Sequence, residues 1–514
     1  MGTAATEAEG IHEGAALGKR DGGGCGWYVG RRASFSLSGS HPMRLLARFL
    51  PAAALACVAW GAASASAPGD AEKAQARAVF EAIIEMDTSV EGLKTPEMAA
   101  YLSRVFRDAG FPERDIHVLP FGKTASFIVR YRGRDAGARG IGFLAHMDVV
   151  TARREDWERD PFKLVEEKGY FFGRGTSDNK NGIATLVGTF LALKKENFVP
   201  ARDLVLIFTG DEETAGLTAT SLVQEHRSLI DVEYIINSDA GGGTLSEEGK
   251  PTGYTLQTAE KTFASFRLTA RNDGGHSSQP RKDNAIYDVM RAVQAIERHA
   301  FPVMWNDTTL AAFRANGRVT SGAIGKAMRR FAHKPGDRRA VAVLSASPHH
   351  VGQIRTTCIP TMLAGGHADN ALPQSASVTV NCRIFPGVKI DAVKAQLKRL
   401  AGPRIEIAPL QDNYLASDAA PLRADVVAAV TAAAHSNHPG VPIVPGMSGG
   451  ATDGVFFRAA GIPTYGAGET FMKDSDDYAH GLNERVPVEG FYNGLRHWRV
   501  LITTLAGSQT LPGK

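Results

Sequence analysis

The chain has 514 residues, 43% of them hydrophobic and 22% charged, a balance that excludes a mainly disordered or collagen-like polymer and predicts at least two folded domains. Its 58 Lys and Arg residues nearly balance 54 Asp and Glu residues, and the net charge of +4 is too small to drive nucleic-acid binding by counterion release. The four cysteines, Cys25, Cys57, Cys358 and Cys382, form no Cys-x-x-Cys pair, which excludes a zinc finger or a disulfide-built scaffold and leaves any metal to histidines and carboxylates.

Residues 1–42 are Gly-rich and unpatterned. From Met43, a basic start (Arg44, Arg48), an apolar stretch over 49–63 and the small residues Ser64-Ala65-Ser66-Ala67 form the pattern of a cleaved signal peptide over 43–67, with Met43 a candidate start codon. The apolar part falls short of the roughly 20 residues a spanning helix needs. We therefore expect export to the periplasm or the medium, and no transmembrane span. Cys57 after Ala54-Leu55-Ala56 matches a lipoprotein box only loosely. Cleavage leaves Cys358 and Cys382, which either pair across neighbouring strands or remain two buried thiols.

Over 71–109 the apolar residues recur at helical spacing, and Thr95-Pro96-Glu97 predicts an N-cap, a proline at the first helical position and an acid in the first turn. Two helices are expected there. Apolar and β-branched runs at 126–131, 140–145, 203–209 and 234–237 alternate with helical stretches at 182–196 and 220–228, which predicts an α/β sheet covered on both faces. The pattern then changes: strict alternation over 262–270, a helix over 284–299 and strands at 354–363 and 376–384 predict an antiparallel α+β insert. A helix over 424–435 resumes the α/β style. The stretch 301–351 is basic and weakly patterned, and no fold is assigned to it.

Chemistry-bearing residues fall at the ends of these runs. His146-Met147-Asp148 closes a hydrophobic strand with an imidazole and a carboxylate two residues apart, on one face, at the strand end where α/β sheets bind ligands. Asp178, in Gly173-Arg174-Gly175-Thr176-Ser177-Asp178-Asn179, comes just before a helix and reads either as an N-cap or as a ligand. Asp211-Glu212-Glu213 ends an apolar strand with three consecutive acids, a costly arrangement unless a cation lies nearby or the loop is well solvated. Asp239 ends another strand and His480 supplies a second isolated imidazole. Together they form the mixed N/O donor set expected for two zinc-like divalent ions.

These motifs, in this order, resemble the M20 family of co-catalytic zinc metallopeptidases from about residue 75 to about residue 500. The resemblance implies that His146, Asp178 and Asp239 hold one zinc, that Asp178, Glu213 and His480 hold the other, and that Co or Mn can substitute. It makes Glu212 the general base and Asp148 the group that orients His146 and fixes its tautomer. Gly274-Gly275-His276-Ser277 matches the family's lid motif, which implies that His276 reaches the partner subunit's site and steadies an oxyanion, and hence a homodimer formed through the lid domain. Asn370 and Arg383 resemble the lid's substrate contacts, with Arg suited to a carboxylate, although Arg383 also reads as a structural salt bridge. Ser448-Gly449-Gly450 resembles the glycine loop beside the site, or a plain tight turn.

The expected fold is therefore α/β, a zinc-peptidase catalytic domain with a mixed sheet between helices, over 71–259 and 413–514. It is interrupted over 260–412 by a smaller α+β, ferredoxin-like lid or dimerisation domain. The stretch 301–351 and the run around 355–387 look most like the carboxypeptidase S and secreted N-acyl amino acid hydrolase branch. The expected function is an exported di-zinc enzyme that hydrolyses a terminal peptide bond of small peptides. An N-acyl amino acid deacylase with the same mechanism is the alternative, and a non-catalytic peptide-binding protein is disfavoured because no ligand or base is missing.

Overall fold

A computed structural model describes residues 67–411 and 414–507; the signal-peptide pattern and the N-terminal extension lie outside the described residues. The two expected helices are Asp70–Ile84 and Thr95–Asp108. Thr95 is not the cap: it is already helical and buried, Lys94 precedes it without a side-chain cap, and its hydroxyl donates to the Thr88 carbonyl at 3.4 Å. Packing against the preceding loop takes the hydroxyl that a cap would use.

The main sheet has ten strands. At its centre Leu204–Thr209, Gly140–His146 and Val232–Asn237 run parallel, with Gly140–His146 in the middle. The chain leaves the middle strand, returns on one side and then crosses to the other, so the three strand ends face a topological switch point, where α/β sheets open a ligand crevice. An antiparallel hairpin, Ile116–Phe121 with Thr124–Tyr131, extends one edge. Its two-residue turn starts at Gly122 with φ +59°, a backbone state that favours glycine in tight hairpins.

Side-chain alternation divides the core between the two faces. Phe143 and Ala145 join Phe80, Phe106, Phe190 and Leu501 on one face, while Leu144, Ile207 and Ile235 meet Leu222 and Phe457 on the other. Helix Lys180–Lys195 is buried from Lys180 through Leu193, wedged between the sheet and the helices Asp70–Ile84 and Val488–Ala506. That accounts for its nearly all-round apolar sequence.

The insert is a four-stranded antiparallel sheet in the order Thr357–Gly365, Ser375–Ile384, Thr262–Arg271, Ile405–Pro409. Helices Ala285–Glu297 and Ile390–Ala401 complete the βαββαβ order of a ferredoxin-like unit, with a separate core around Phe266, Val289, Val380 and Leu397. Cys358 and Cys382 are directly opposite and joined as a disulfide, so the pairing, not two free thiols, is what the structure shows. Residues 301–351 form helices Asp307–Val319, Gly322–His333, Arg338–Ser345 and Pro348–Val351 around Phe313, Met328, Phe331 and Leu344. Their faces are interrupted by Gly317, buried against Met328 and Arg329 of the next helix, and by Gly325, buried on the backbone of Thr320.

Candidate active site

The three parallel strand ends deliver the acids and the first imidazole to one crevice. His146 is 1% exposed, and its Nε2 lies 2.9 Å from Asp178 Oδ1 and 3.5 Å from Asp239 Oδ1. His480 arrives from a distant loop in the left-handed region, φ +62°, a state that a non-glycine residue holds only when its surroundings dictate it. Its Nε2 lies 3.1 Å from Asp178 Oδ2 and 2.9 Å from Glu213 Oε2. Asp178 thus turns one oxygen to each imidazole. It is not a helix cap, because Asn179 intervenes before the helix and makes no capping bond either.

This arrangement passes a chemical test for divalent cations. Two neutral-capable nitrogens and three carboxylates converge, and donor atoms of His146, Asp178 and Glu213 all lie within 4.8 Å of one another, the N/O donor chemistry that suits zinc-like ions. The protonation tendencies agree. Burial favours neutral groups, yet the Asp239 charge and the neighbouring carboxylates hold His146 well above the usual imidazole range, and hydrogen bonds that His480 donates to Asp178 and Glu213 push it up to about 10. Burial raises Asp239 to about 7 even beside His146. The crevice calls for positive charge, which protons on the rings or bound cations can supply.

The three consecutive acids separate into different tasks. Asp211 turns away and its carboxylate accepts from the Leu217 and Thr218 amides, at 2.7 and 2.9 Å, at the start of helix Leu217–Gln224. Glu213 meets His480. Glu212 makes no contact with either imidazole among the described hydrogen bonds and ion pairs, and burial together with the Asp239 charge pushes its carboxyl well above the ordinary range. Asp148 has two sets of neighbours, the acid loop and the His146 ring. Its carboxylate accepts from the Glu212 and Glu213 amides at 3.1 and 2.9 Å and stays 3.6 Å from His146 Nδ1. The backbone carbonyl of Asp148, at 3.0 Å, is what contacts that nitrogen. Asp148 therefore pins the acid loop, while its backbone carbonyl and its carboxylate both face the Nδ1 of the ring.

The residues expected in a lid stand apart from this cluster. His276 is exposed and pairs with Ala371 in a two-stranded ladder beside Asn370; its Nδ1 is 2.8 Å from the Ser278 hydroxyl. Arg383 forms no salt bridge among the described residues. Its guanidinium stacks 4.9 Å from the Phe263 ring and donates to the Gly449 carbonyl at 2.8 Å, which joins the lid strand to the glycine loop. Ser448 Oγ accepts from the Gly450 amide at 2.9 Å, so it shapes that loop.

Sequence reasoning missed a buried pair beneath the ligands. Glu484, with no exposed surface, accepts from Arg174 at 2.6 Å and from the amides of Gly175, Ser177 and Asp178 at 3.0, 2.7 and 3.0 Å. Arg174 also donates to the Gly481 carbonyl at 3.0 Å. One ion pair thus ties the Asp178 loop to the His480 loop. Lys180, fully buried and lowered by that burial to about 7, donates to the Ile83 and Met86 carbonyls at 2.8 Å each and anchors the helix that follows Asp178. Asp453, raised by burial to about 8, accepts from the Thr209 hydroxyl at the end of the neighbouring strand.

The family model described as peptidase family M20/M25/M40 matches residues 142–504. The N-fatty-acyl-amino acid synthase/hydrolase PM20D1 of Xenopus tropicalis is 26% identical over 422 residues, covering 76% of this chain and 77% of that protein. Aminoacylase-1 of Mus musculus is 24% identical over 422 residues, covering 80% and 91%. Among solved structures, the M20 family metallo-carboxypeptidase Sso-CP2 of Sulfolobus solfataricus superposes with a TM-score of 0.63 at 17% identity, over 84% of this chain and 99% of that one.

Proposed function

This chain belongs to peptidase family M20/M25/M40, and we infer that it is a two-metal amidohydrolase that cleaves N-acyl amino acids, releasing a carboxylate and a free amino acid. The observation that carries this reading is Asp178, whose two oxygens face two different imidazoles, each of which has its own further acid. On this reading His146, Asp178 and Asp239 hold one ion and Asp178, Glu213 and His480 the other, with zinc favoured and Co or Mn as substitutes. When bound, the ions supply Lewis acidity to the scissile carbonyl and lower the pKa of the attacking water.

The chain's own residues supply the rest. Glu212, adjacent to a ligand yet free of both imidazoles, takes the proton from water and returns it to the leaving amine. Asp148 holds Glu212 and Glu213 by their amides, so base and ligand keep a fixed separation. Arg383 and the Ser448-Gly449 loop face the substrate's carboxylate end, and Asn370 and His276 complete the site from the lid of a second subunit. The exposed apolar residues Ile359, Met362 and Leu363 on the lid's edge strand support that dimer, since such an edge invites pairing. The disulfide supports an oxidising compartment, in keeping with export.

The names of the relatives above support an N-acyl substrate over a peptide. A small peptide is the second reading, favoured by the acidic cavity beside Asp239, which suits an α-amine. The deciding experiment loads purified protein with zinc and assays N-acetyl and long-chain N-acyl amino acids, dipeptides and blocked peptides. Amino acid release from N-acyl compounds, abolished by chelation and restored by metal, is the expected result. Cleavage of dipeptides alone would transfer the assignment to the second reading. Inactivity of protein shown to hold two ions would overturn both.

A further inference from the structure

Three cavities border the crevice, and their chemistry differs. The first, about 330 Å³, is acidic, with Asp178, Asp239, Glu469, Asp474 and Asp477 in its walls and Lys473 as its one cation. The second, about 220 Å³, has Lys261 as its one cation beside the acids Glu212 and Asp453, with Phe263, Tyr414 and Phe456 in its walls and the Arg383 guanidinium stacked on that same Phe263. The third, about 320 Å³, is an apolar groove walled by Val90, Leu93, Phe121 and Leu217, with Asp148 and Thr214 at its inner end. Thr214 and Ala215 line both the second cavity and the groove, so only the crest of the acid loop separates them.

Resting on the N-acyl amino acid reading, we propose that this groove receives the acyl chain of the substrate. An N-acyl amino acid has one anionic end and one apolar end. The acidic cavity repels its carboxylate, while Lys261 and Arg383 attract it to the second cavity. The tail must then leave in the other direction, over Thr214 and Ala215, and the groove is the apolar surface it meets. Val90 is 60% exposed, Leu93 41%, Phe121 36% and Leu217 41%; four large apolar side chains from three separate segments gathered at one opening mark a binding surface more than scattered surface hydrophobes do. At roughly the 30 Å³ that a water-sized group occupies, the groove holds about ten methylenes, a medium to long acyl chain.

The test compares N-acetyl-, N-octanoyl- and N-dodecanoyl-leucine below their micelle concentrations. In the unaltered enzyme KM should fall roughly two- to fourfold per added methylene until the groove is full, as expected for apolar surface leaving water. Phe121→Asp places a charge at the exposed end of an edge strand and Leu93→Asp on an exposed loop, and Leu93 already has φ +57°, which Asp tolerates, so neither should unfold the protein. Each should raise KM for the dodecanoyl compound at least tenfold and leave kcat/KM for N-acetyl-leucine within twofold. A dodecanoyl KM that neither variant changes, or the absence of any chain-length gain in an enzyme that cleaves N-acetyl-leucine, would overturn the proposal. Calorimetric binding of N-dodecanoyl-leucine to Glu212→Gln protein, with and without Phe121→Asp, reads the groove without turnover. Groove-dependent binding without hydrolysis in the parent enzyme would keep the acyl site and sink the hydrolase reading, and binding indifferent to Phe121→Asp would sink the acyl site.

Discussion

Glu484→Gln tests whether the ligand loops are held from below. The wild-type carboxylate serves Arg174 and three backbone amides, those of Gly175, Ser177 and Asp178, besides the Ser177 hydroxyl at 2.9 Å. Gln keeps the shape but removes the charge and one acceptor oxygen. It leaves the guanidinium of Arg174, whose side chain is 3% exposed, without a counter-charge. Breaking a buried pair on one side costs about 3–5 kcal/mol, and the low end applies because Arg174 keeps the Gly481 carbonyl and the face of Trp157 at 5.0 Å. With an unfolding entropy of roughly 2.1 cal/mol/K per residue over about 440 residues, a loss of about 3 kcal/mol lowers Tm by about 3 °C. Metal affinity should fall on the order of 10–100-fold, the usual consequence of losing a group that orients ligands. Scanning calorimetry and zinc titration against a competing chelator measure the two effects. Unchanged zinc affinity would refute the positioning argument even if Tm fell, because the pair would then serve stability alone.

Glu212→Gln should retain both metal ions by elemental analysis while kcat falls on the order of a hundredfold or more, as for removal of a general base; joint loss of metal and activity would make Glu212 a ligand. His497, buried against Tyr254 and Trp498, is lowered by burial to about 3. Between about pH 6.5 and 3 the unfolded state therefore binds a proton that the folded state refuses, and stability falls with pH at up to about 1.4 kcal/mol per unit. His497→Phe should flatten that limb in urea titrations at pH 4 to 7, and an unaltered slope would show that His497 is not its source. For the lid, His276→Ala should cut turnover on the order of a few hundredfold with both ions retained. A mixed dimer of that chain with a Glu212→Gln chain should recover about half of wild-type dimer activity on an independent-site count, whereas a dead mixed dimer or a fully active monomer would exclude action in trans.

How much of the fold the sequence revealed depended on how local the determining interactions were. The strands Gly140–His146 and Leu204–Thr209 are apolar on both faces because helices cover both, so their runs stand out without any partner in view. The strand Ile443–Ser448 carries Pro445 and Gly446 and pairs only with Pro251–Glu260, almost two hundred residues earlier; nothing nearby marks it as a strand. The basic helices over 307–351 carry no marker of their partners, because their apolar sides meet one another and the distant strand Ile443–Ser448. Thr95 misled for a related reason, since a serviceable cap residue was recruited by a tertiary contact with Thr88.

The candidate site divides in the same way. The candidate ligands follow the ends of strands, so His146, Glu213 and Asp239 sit where a hydrophobic run meets its first acids, and the sequence displays that junction directly. The groups that place them lie one step further out and have no such marker. Glu484 follows an ordinary Gly-Leu-Asn stretch, and only the fold shows that its carboxylate meets amides some three hundred residues upstream. The same distance explains why the substrate class was the hardest feature to read. The acid loop, legible as Asp211-Glu212-Glu213, is common to both sides of the crest. What lies on either side, Lys261 and Arg383 in one direction and Val90, Leu93 and Phe121 in the other, comes from segments that meet only in three dimensions. The reacting groups were therefore legible as motifs, while the choice between a peptide and an acylated amino acid rests on surfaces that no single stretch of the chain contains.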